Sequence, residues 1–289
     1  MAATNGAPIE GIVDRATRII PEYFPPPFHI TFQDIKRGSP KTFISVHSSV
    51  HGLVHGSVHN PTSICIQCDI FHSDLSTLHI AALMRCGDPS EQEGKYIGSR
   101  ILRQIIEFSK ACGFSQITLE DESIIIYDTT DGPIYKKYYI NLQDLLRLKT
   151  GQSWYEGFGF TNKKIIQHKD DILKHIHKPI GDVNPELLPR LQKDVPAITD
   201  ITGSTTVSES VTRLYEYLQS LCPERICDSK SKLITVNQID SIIRRLNDTM
   251  MTEIGATDED FHILSLSLLQ KGSSRTKRRK TRRRRTRRT

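Results

Sequence analysis

Residues 93–121, EGKYIGSRILRQIIEFSKACGFSQITLED, constrain the fold more than any other stretch. Gly94 and Gly98 mark a turn. Ile97, Ile101, Ile105 and Phe108 then recur at three- and four-residue steps, and Leu102 and Ile106 widen the stripe, so an amphipathic helix is expected. Gly113 stands where a helix C-cap belongs. Residues 115–119 read as a strand with Ile117 and Leu119 on one face. A glycine turn that feeds a helix start leaves backbone N–H groups unpaired at the positive end of the helix dipole, which suits a phosphate or diphosphate. The same pattern also describes an ordinary strand–turn–helix–strand crossover.

The flanking segments place this unit in a larger sheet. Residues 63–71 and 75–85 read as two strands joined by a turn at Ser73-Asp74, a hairpin. The order is therefore strand, strand, polar loop, helix, strand. Upstream, Pro25-Pro26-Pro27 is stiff and extended, and residues 29–35 and 42–46 read as further strands. Val-His recurs at Val46-His47, Val50-His51, Val54-His55 and Val58-His59. Spaced histidines suit a metal. Gly52 and Gly56 favour bends instead, and a strand–turn–strand with outward imidazoles is the preferred reading. Downstream, residues 124–127 and 134–140 form a hairpin pattern. Asn141 caps a short helix, LQDLLRLKT, stopped by Gly151, and TNKKIIQH at 161–168 reads as one more strand.

Beyond about residue 179 the texture changes. Pro179, Pro185, Pro189 and Pro196 suggest a linker. Capping patterns at Thr206-x-x-Glu209, Thr235-x-x-Gln238 and Thr257-x-x-Asp260 then announce three helices, the last being FHILSLSLLQ. The expected division is an N-terminal arm (1–27), a sheet domain (28–170), a linker (171–205), a helical appendage (206–271) and an unfolded Arg/Lys tail (272–289). The fold class expected is α+β, with a mixed sheet.

Charge and cysteine content narrow the chemistry. The net charge is +6, but residues 271–289 hold twelve of the 39 basic residues, leaving 27 against 33 acidic, a net of −6, for the body. The body is thus no nucleic-acid surface by charge; the tail, at 275–289, suits phosphate contacts, a nuclear address or a solubilising role. No run approaches the roughly 18 apolar residues of a membrane helix, and the N-terminus lacks the basic start and apolar core of a signal peptide. An intracellular protein, cytoplasmic or nuclear, is expected, with no membrane association. The six cysteines (65, 68, 86, 112, 222, 227) are read as reduced thiols, because Cys65-x-x-Cys68 falls in a strand and has no second pair.

Two separated pieces carry a family resemblance. Residues 78–121 supply a strand, a loop, a helix and a second strand, and WYEGFGF supplies Tyr155-x-x-x-Gly159-Phe160. Together they resemble the GNAT superfamily of N-acetyltransferases, over roughly residues 60–168. In that family the loop is usually Gln/Arg-x-x-Gly-x-Gly/Ala; the matching positions are Glu93, Tyr96 and Gly98. Glu93 sets a negative charge where a diphosphate approaches, and Tyr96 replaces a glycine; Gly94 and Lys95 compensate in part.

The resemblance implies a central, mostly antiparallel sheet with splayed strands, flanked by helices, and acetyl-CoA as co-substrate. The cofactor would lie along Leu83, Met84, Arg85, Gly94, Lys95, Tyr96, Ile97, Gly98, Ser99 and Arg100. It implies transfer of an acetyl group to an amine of a protein, peptide or small molecule, with no metal. Backbone N–H near 83–85 would polarise the thioester oxygen, and Tyr155 would protonate the departing thiolate. The alternative role for Tyr155 is aromatic packing beside Trp154. The base is left among Glu120, Asp121, Glu122 and His79, while Ser153 either caps the local turn or bonds near the thiol. A second functional class stays open: a catalytically inactive relative that binds or scaffolds, with its tail on nucleic acid.

Overall fold

A computed structural model describes residues 9–24, 28–34, 41–48, 63–71, 73–83, 97–129 and 137–268. The Val-His repeats beyond His47, the loop holding Met84, Arg85, Glu93, Gly94, Lys95 and Tyr96, and the basic tail lie outside these residues.

The larger sheet is built from alternation. Strands β1 (Phe28–Asp34), β2 (Lys41–Ser48), β3 (Ser63–Phe71) and β4 (Thr77–Leu83) form an antiparallel meander. Helix α2 (Ile97–Cys112) crosses over to β5 (Gln116–Glu120), which lies parallel to β4. One side of this sheet carries Ile44, Val46, Ile66, Cys68, Ile70, Leu78, Ile80, Ile117 and Leu119, all buried. Residues two apart on a strand share a face, so this apolar side needs a cover. Helix α2 supplies it through Ile101, Leu102, Ile105 and Phe108.

Helix α1 (Ile9–Tyr23) completes that cover. The first 27 residues were expected as a weakly patterned arm; instead Ile12, Ala16, Ile20 and Phe24, four residues apart, bury one stripe. Tyr23 and Phe24 meet Phe108 edge-on at 6.1 and 6.3 Å. Pro21 inside the helix and the following prolines hide that stripe from a reading by breaker residues.

A second, three-stranded sheet follows. Strands β6 (Ile124–Thr129) and β7 (Lys137–Asn141) form the expected antiparallel hairpin. Asn141 Oδ1 accepts from the Asp144 N–H at 3.1 Å to open α3 (Leu142–Thr150), and Gly151 ends it at φ +81.

The next expectation fails. Residues 161–168 are not a strand: they enter α4 (Lys163–Ile176), capped by Asn162 Oδ1 accepting from the Ile165 N–H at 2.8 Å. Ile165, His168, Ile172 and Ile176 are buried at helical spacing, a period visible only when the pattern is followed past His168. The expected linker is folded too. It holds the end of α4, then α5 (Ile180–Val183) and α6 (Leu187–Asp194), with Ile180, Leu187, Leu191, Val195, Ile198 and Ile201 buried. Its prolines start and separate short helices rather than keep the chain extended.

Helix α7 (Val207–Leu221) opens on the expected Thr206–Glu209 capping box. Helix α8 (Lys230–Ile254) starts five residues before the predicted Thr235, because Ser229 takes the cap. Between them Cys222 and Cys227 form a disulfide, with Cα atoms 4.6 Å apart, so these two are not the reduced thiols expected. The turn Pro223–Arg225 has Glu224 and Arg225 at positive φ, which folds the chain back far enough for the pair to meet. It leads into β8 (Ile226–Cys227), parallel to β6.

The last predicted helix is the largest correction. Only α9 (Glu259–His262) is helical; β9 (Ile263–Ser267) then pairs antiparallel with β5. The period-two pattern of ILSLS fits a strand, with Leu264 buried against Leu119 as its register partner. The larger sheet therefore runs β1-β2-β3-β4-β5-β9, antiparallel except at β4–β5. The molecule is α+β, with a mostly antiparallel sheet flanked by helices. Among the described residues no helix is long and apolar enough to cross a membrane.

Candidate functional site at the parting of two parallel strands

The parallel pair β4–β5 is hydrogen-bonded in register from Thr77↔Gln116 to Ile80↔Leu119 and stops there. Beyond that point each strand stays with its other neighbour. Leu83 and Ala82 of β4 pair with Ile66 and Gln67 of β3. Glu120 of β5 pairs with Ile263 of β9, and the Asp121 N–H donates to the His262 carbonyl at 2.8 Å. Ala81 is the reason: Cys68 pairs with Ile80 and Gln67 with Ala82, so Ala81 is an extra residue. A bulge of this kind bends its strand and frees a backbone group.

Residues around this opening come from four elements. Helix α2 begins at Ile97, so the N–H groups of Ile97, Gly98 and Ser99 point to its N-terminal end, where an α-helix offers them no carbonyl of its own. Gly98 sits against Trp154: a Cβ there would stand 3.8 Å from the indole Cη2 and Cζ2. Trp154 touches Tyr155 and Phe158 edge-on, with ring centroids 4.8 and 5.0 Å apart. Tyr155 meets Phe160 at 6.1 Å, and Thr161 forms a bridge with Ser265 of β9. The segment 154–161 thus runs from the start of α2 to the sheet edge beside β5.

Of the expected catalytic residues, the structure brings Tyr155 and Asp121 together. Tyr155 is buried, and burial first, then the Asp121 charge, push its phenol well above the ordinary value. It stays protonated at neutral pH. Asp121 continues the inward alternation of Ile117 and Leu119 and is buried. Its Oδ1 accepts from the Ser123 hydroxyl at 2.6 Å. Glu120 and Glu122, on either side, are exposed.

His79 is not part of this group. It alternates with the buried Leu78 and Ile80, so it lies on the opposite side of the sheet. Its Nδ1 lies 3.1 Å from Thr118 Oγ1, and its register partner on β3 is Asp69. Of the expected cofactor contacts, Leu83 ends β4, and Ile97, Gly98, Ser99 and Arg100 open α2.

The residue that sequence reasoning missed is Arg147 on α3. It is 1% exposed, and its guanidinium lies 4.6 Å from the Phe261 ring centroid. Burial pulls its pKa down, while Glu156, Asp144, Asp121 and Asp258 oppose that pull. The neighbouring Glu156 is shifted up, chiefly by burial, although its Oε2 accepts from the Ser153 N–H at 2.7 Å. Asp144 is pushed up to about 7, by burial first and by Asp258 second. Among the described residues, Arg147 Nη1 and Nη2 and Asp121 Oδ2 are buried with no hydrogen-bond partner. Each such atom costs about 1–3 kcal/mol if nothing satisfies it. In LQDLLRLKT nothing marks Arg147 as inward-facing, since a nine-residue helix shows too few turns to set its buried arc.

Among the described residues, no three His, Cys, Asp or Glu side chains gather as a metal ion would require. No protein-family model and no curated protein matches the chain.

Proposed function

We propose that the chain is an acetyl-CoA-dependent N-acetyltransferase. One observation carries the reading: two parallel strands joined by a crossover helix part beyond Ile80 and Leu119, with a buried, protonated tyrosine beside the opening. The parted strands leave backbone N–H groups of β4 without a partner on β5. A thioester oxygen needs such donors as charge builds on it. The N-terminal amides of α2 suit the diphosphate of coenzyme A, and Gly98 adds no side chain of its own there.

The chemistry then follows from these side chains. A neutral amine attacks the thioester carbon, forming the N–C bond as the carbonyl electrons move to oxygen. Collapse breaks the C–S bond, and Tyr155 gives its proton to the thiolate. The amine proton leaves to a base. Asp121, buried at the end of β5 on the side of Ile117 and Leu119, fills that role; Glu120 alternates to the other side of the sheet, with His79.

Isothermal titration of the full chain with acetyl-CoA, followed by an amine panel, tests this. Saturable binding and transfer are expected, and Tyr155→Phe should lower kcat by about 10²–10⁴-fold with cofactor affinity kept. Binding without transfer to any amine would instead favour a non-catalytic binding role. No binding at millimolar acetyl-CoA would end the proposal.

A further inference from the structure

The side of the larger sheet turned away from α2 carries a group of side chains that acetyl transfer does not use. Alternation puts Lys41 and Phe43 of β2 and Asp69 and Phe71 of β3 there, since Ile44, Cys68 and Ile70 are buried on the other side. The register sets Lys41 opposite Phe71 and Phe43 opposite Asp69, so the four residues form a square. His79 of β4 stands opposite Asp69, and its ring centroid lies 6.0 Å from that of Phe71.

An ammonium group occupies this square. Lys41 Nζ lies 2.8 Å from Asp69 Oδ2, 4.5 Å from the Phe43 ring centroid and 5.7 Å from that of Phe71. Both rings are within the roughly 6 Å over which an aromatic face attracts a cation. Asp69 is 3% exposed, yet its Oδ1 is buried with no hydrogen-bond partner. A carboxylate accepts through both oxygens, so part of its capacity is unused. Phe71 is 37% exposed and the Lys41 side chain 33%, which opens the square to solvent. The walls are strand residues, whereas the cation between them sits on a flexible four-carbon stem.

The walls select the ligand. An anion would meet the Asp69 carboxylate. A metal ion would find a single carboxylate, and among the described residues no three metal-ligating side chains gather. An uncharged apolar group would leave a buried carboxylate without a counter-charge. An alkylammonium group gives its charge to Asp69 and its carbons to the two rings.

We propose that Phe43, Asp69 and Phe71 form a binding cage for the alkylammonium group of a ligand, which displaces Lys41 from it. The exchange is cation for cation, so Asp69 keeps its counter-charge while Lys41 moves into water. The cage is competent only while Lys41 is out, and that fraction sets the apparent affinity. His79, with its Nδ1 3.1 Å from Thr118 Oγ1, borders the cage and offers the rest of the ligand a polar edge. A free amine and a lysine or methyl-lysine side chain of a peptide share this chemistry. The site stands whether or not the chain transfers acetyl groups.

Titration of the full chain, followed by NMR of the Phe43, Phe71 and His79 rings, tests this. The probes are tetramethylammonium, butylamine and peptides carrying lysine or trimethyl-lysine, each against sodium chloride at equal ionic strength. Saturable shifts of these rings are expected with the probes and not with sodium chloride. Lys41→Ala removes the internal competitor and should tighten binding about tenfold. Asp69→Asn should abolish binding. Phe71→Leu keeps apolar bulk at a partly exposed position but loses the aromatic face, and should weaken binding at least about threefold with the melting temperature unchanged. Tighter binding of a peptide than of butylamine supports the cage with a protein ligand, and equal binding supports it with a free amine. Equal ring shifts in sodium chloride, or an affinity unchanged by both Lys41→Ala and Phe71→Leu, would overturn it.

Discussion

Gly98→Ala separates what the fold needs at the start of α2 from what a ligand would need there. The new Cβ would lie 3.8 Å from the Trp154 indole, ordinary van der Waals contact, so no steric cost is expected. Replacing glycine in a helix by alanine gains about 0.5–1 kcal/mol, less in the first turn, so about 0.5 kcal/mol is a fair figure. In a chain of this size that raises the melting temperature by about 1–2 °C. A helical Cβ, however, tilts toward the N-terminus, the end where a diphosphate would sit. Acetyl-CoA affinity should therefore fall about tenfold or more, while stability rises. Trp154, the single tryptophan, touches this position and reports binding by fluorescence. Differential scanning calorimetry and a fluorescence titration on the same sample give both numbers. A melting temperature lowered by several degrees would refute the contact geometry. An unchanged Kd would refute the claim that these amides grip the diphosphate.

Other predictions address the folded frame. Asp144 has its carboxyl raised from 3.8 to about 7, so the unfolded chain releases that proton first, and stability falls as pH rises from about 4 to about 7. Asp144→Asn stays neutral and should be more stable than wild type in urea unfolding at pH 8, with the gain fading near pH 4; a gain independent of pH would contradict this. Asn162→Ala removes the cap of α4 and two bonds from Nδ2 to the Asp260 and Ile263 carbonyls, at 2.9 and 3.0 Å. It should cost about 2–3 kcal/mol by urea titration. Reducing the Cys222–Cys227 disulfide opens a short loop and should cost about 2 kcal/mol, read from urea midpoints with and without reductant. Alkylation without reductant should leave those two cysteines unlabelled.

The central unit was legible because its signals are local and repeated. The stripe of α2, the glycine after it and the alternation of Ile117 and Leu119 each report one periodicity and agree with one another. The capping residues Asn141 and Thr206 were equally clear, since a cap is a side chain bonding to a backbone N–H two or three residues on. What failed was either too short or too distant in sequence. TNKKIIQH holds fewer than three helical turns, and its cap reads as a strand start until the later isoleucines are counted. The strand β9 lies 143 residues beyond its partner, pairing Ser265 with Thr161 and Leu264 with Leu119; a helix-capping pattern just before it pointed the other way. Of the candidate site, Tyr155 was nameable from its motif and Asp121 only as one of four candidates near the end of a strand, whereas Arg147 packs against Phe261, which returns from the far end of the chain. His79 was placed near the cleft by order along β4, and strand alternation put it on the other side.

A crystal structure of the full chain with acetyl-CoA tests the central claim most directly. The account predicts the diphosphate at the N-terminus of α2, the thioester between β4 and β5 beyond Ile80 and Leu119, and its carbonyl oxygen within hydrogen-bond range of a β4 N–H. Strands hydrogen-bonded to each other past that point, or a cofactor bound elsewhere on the chain, would contradict it.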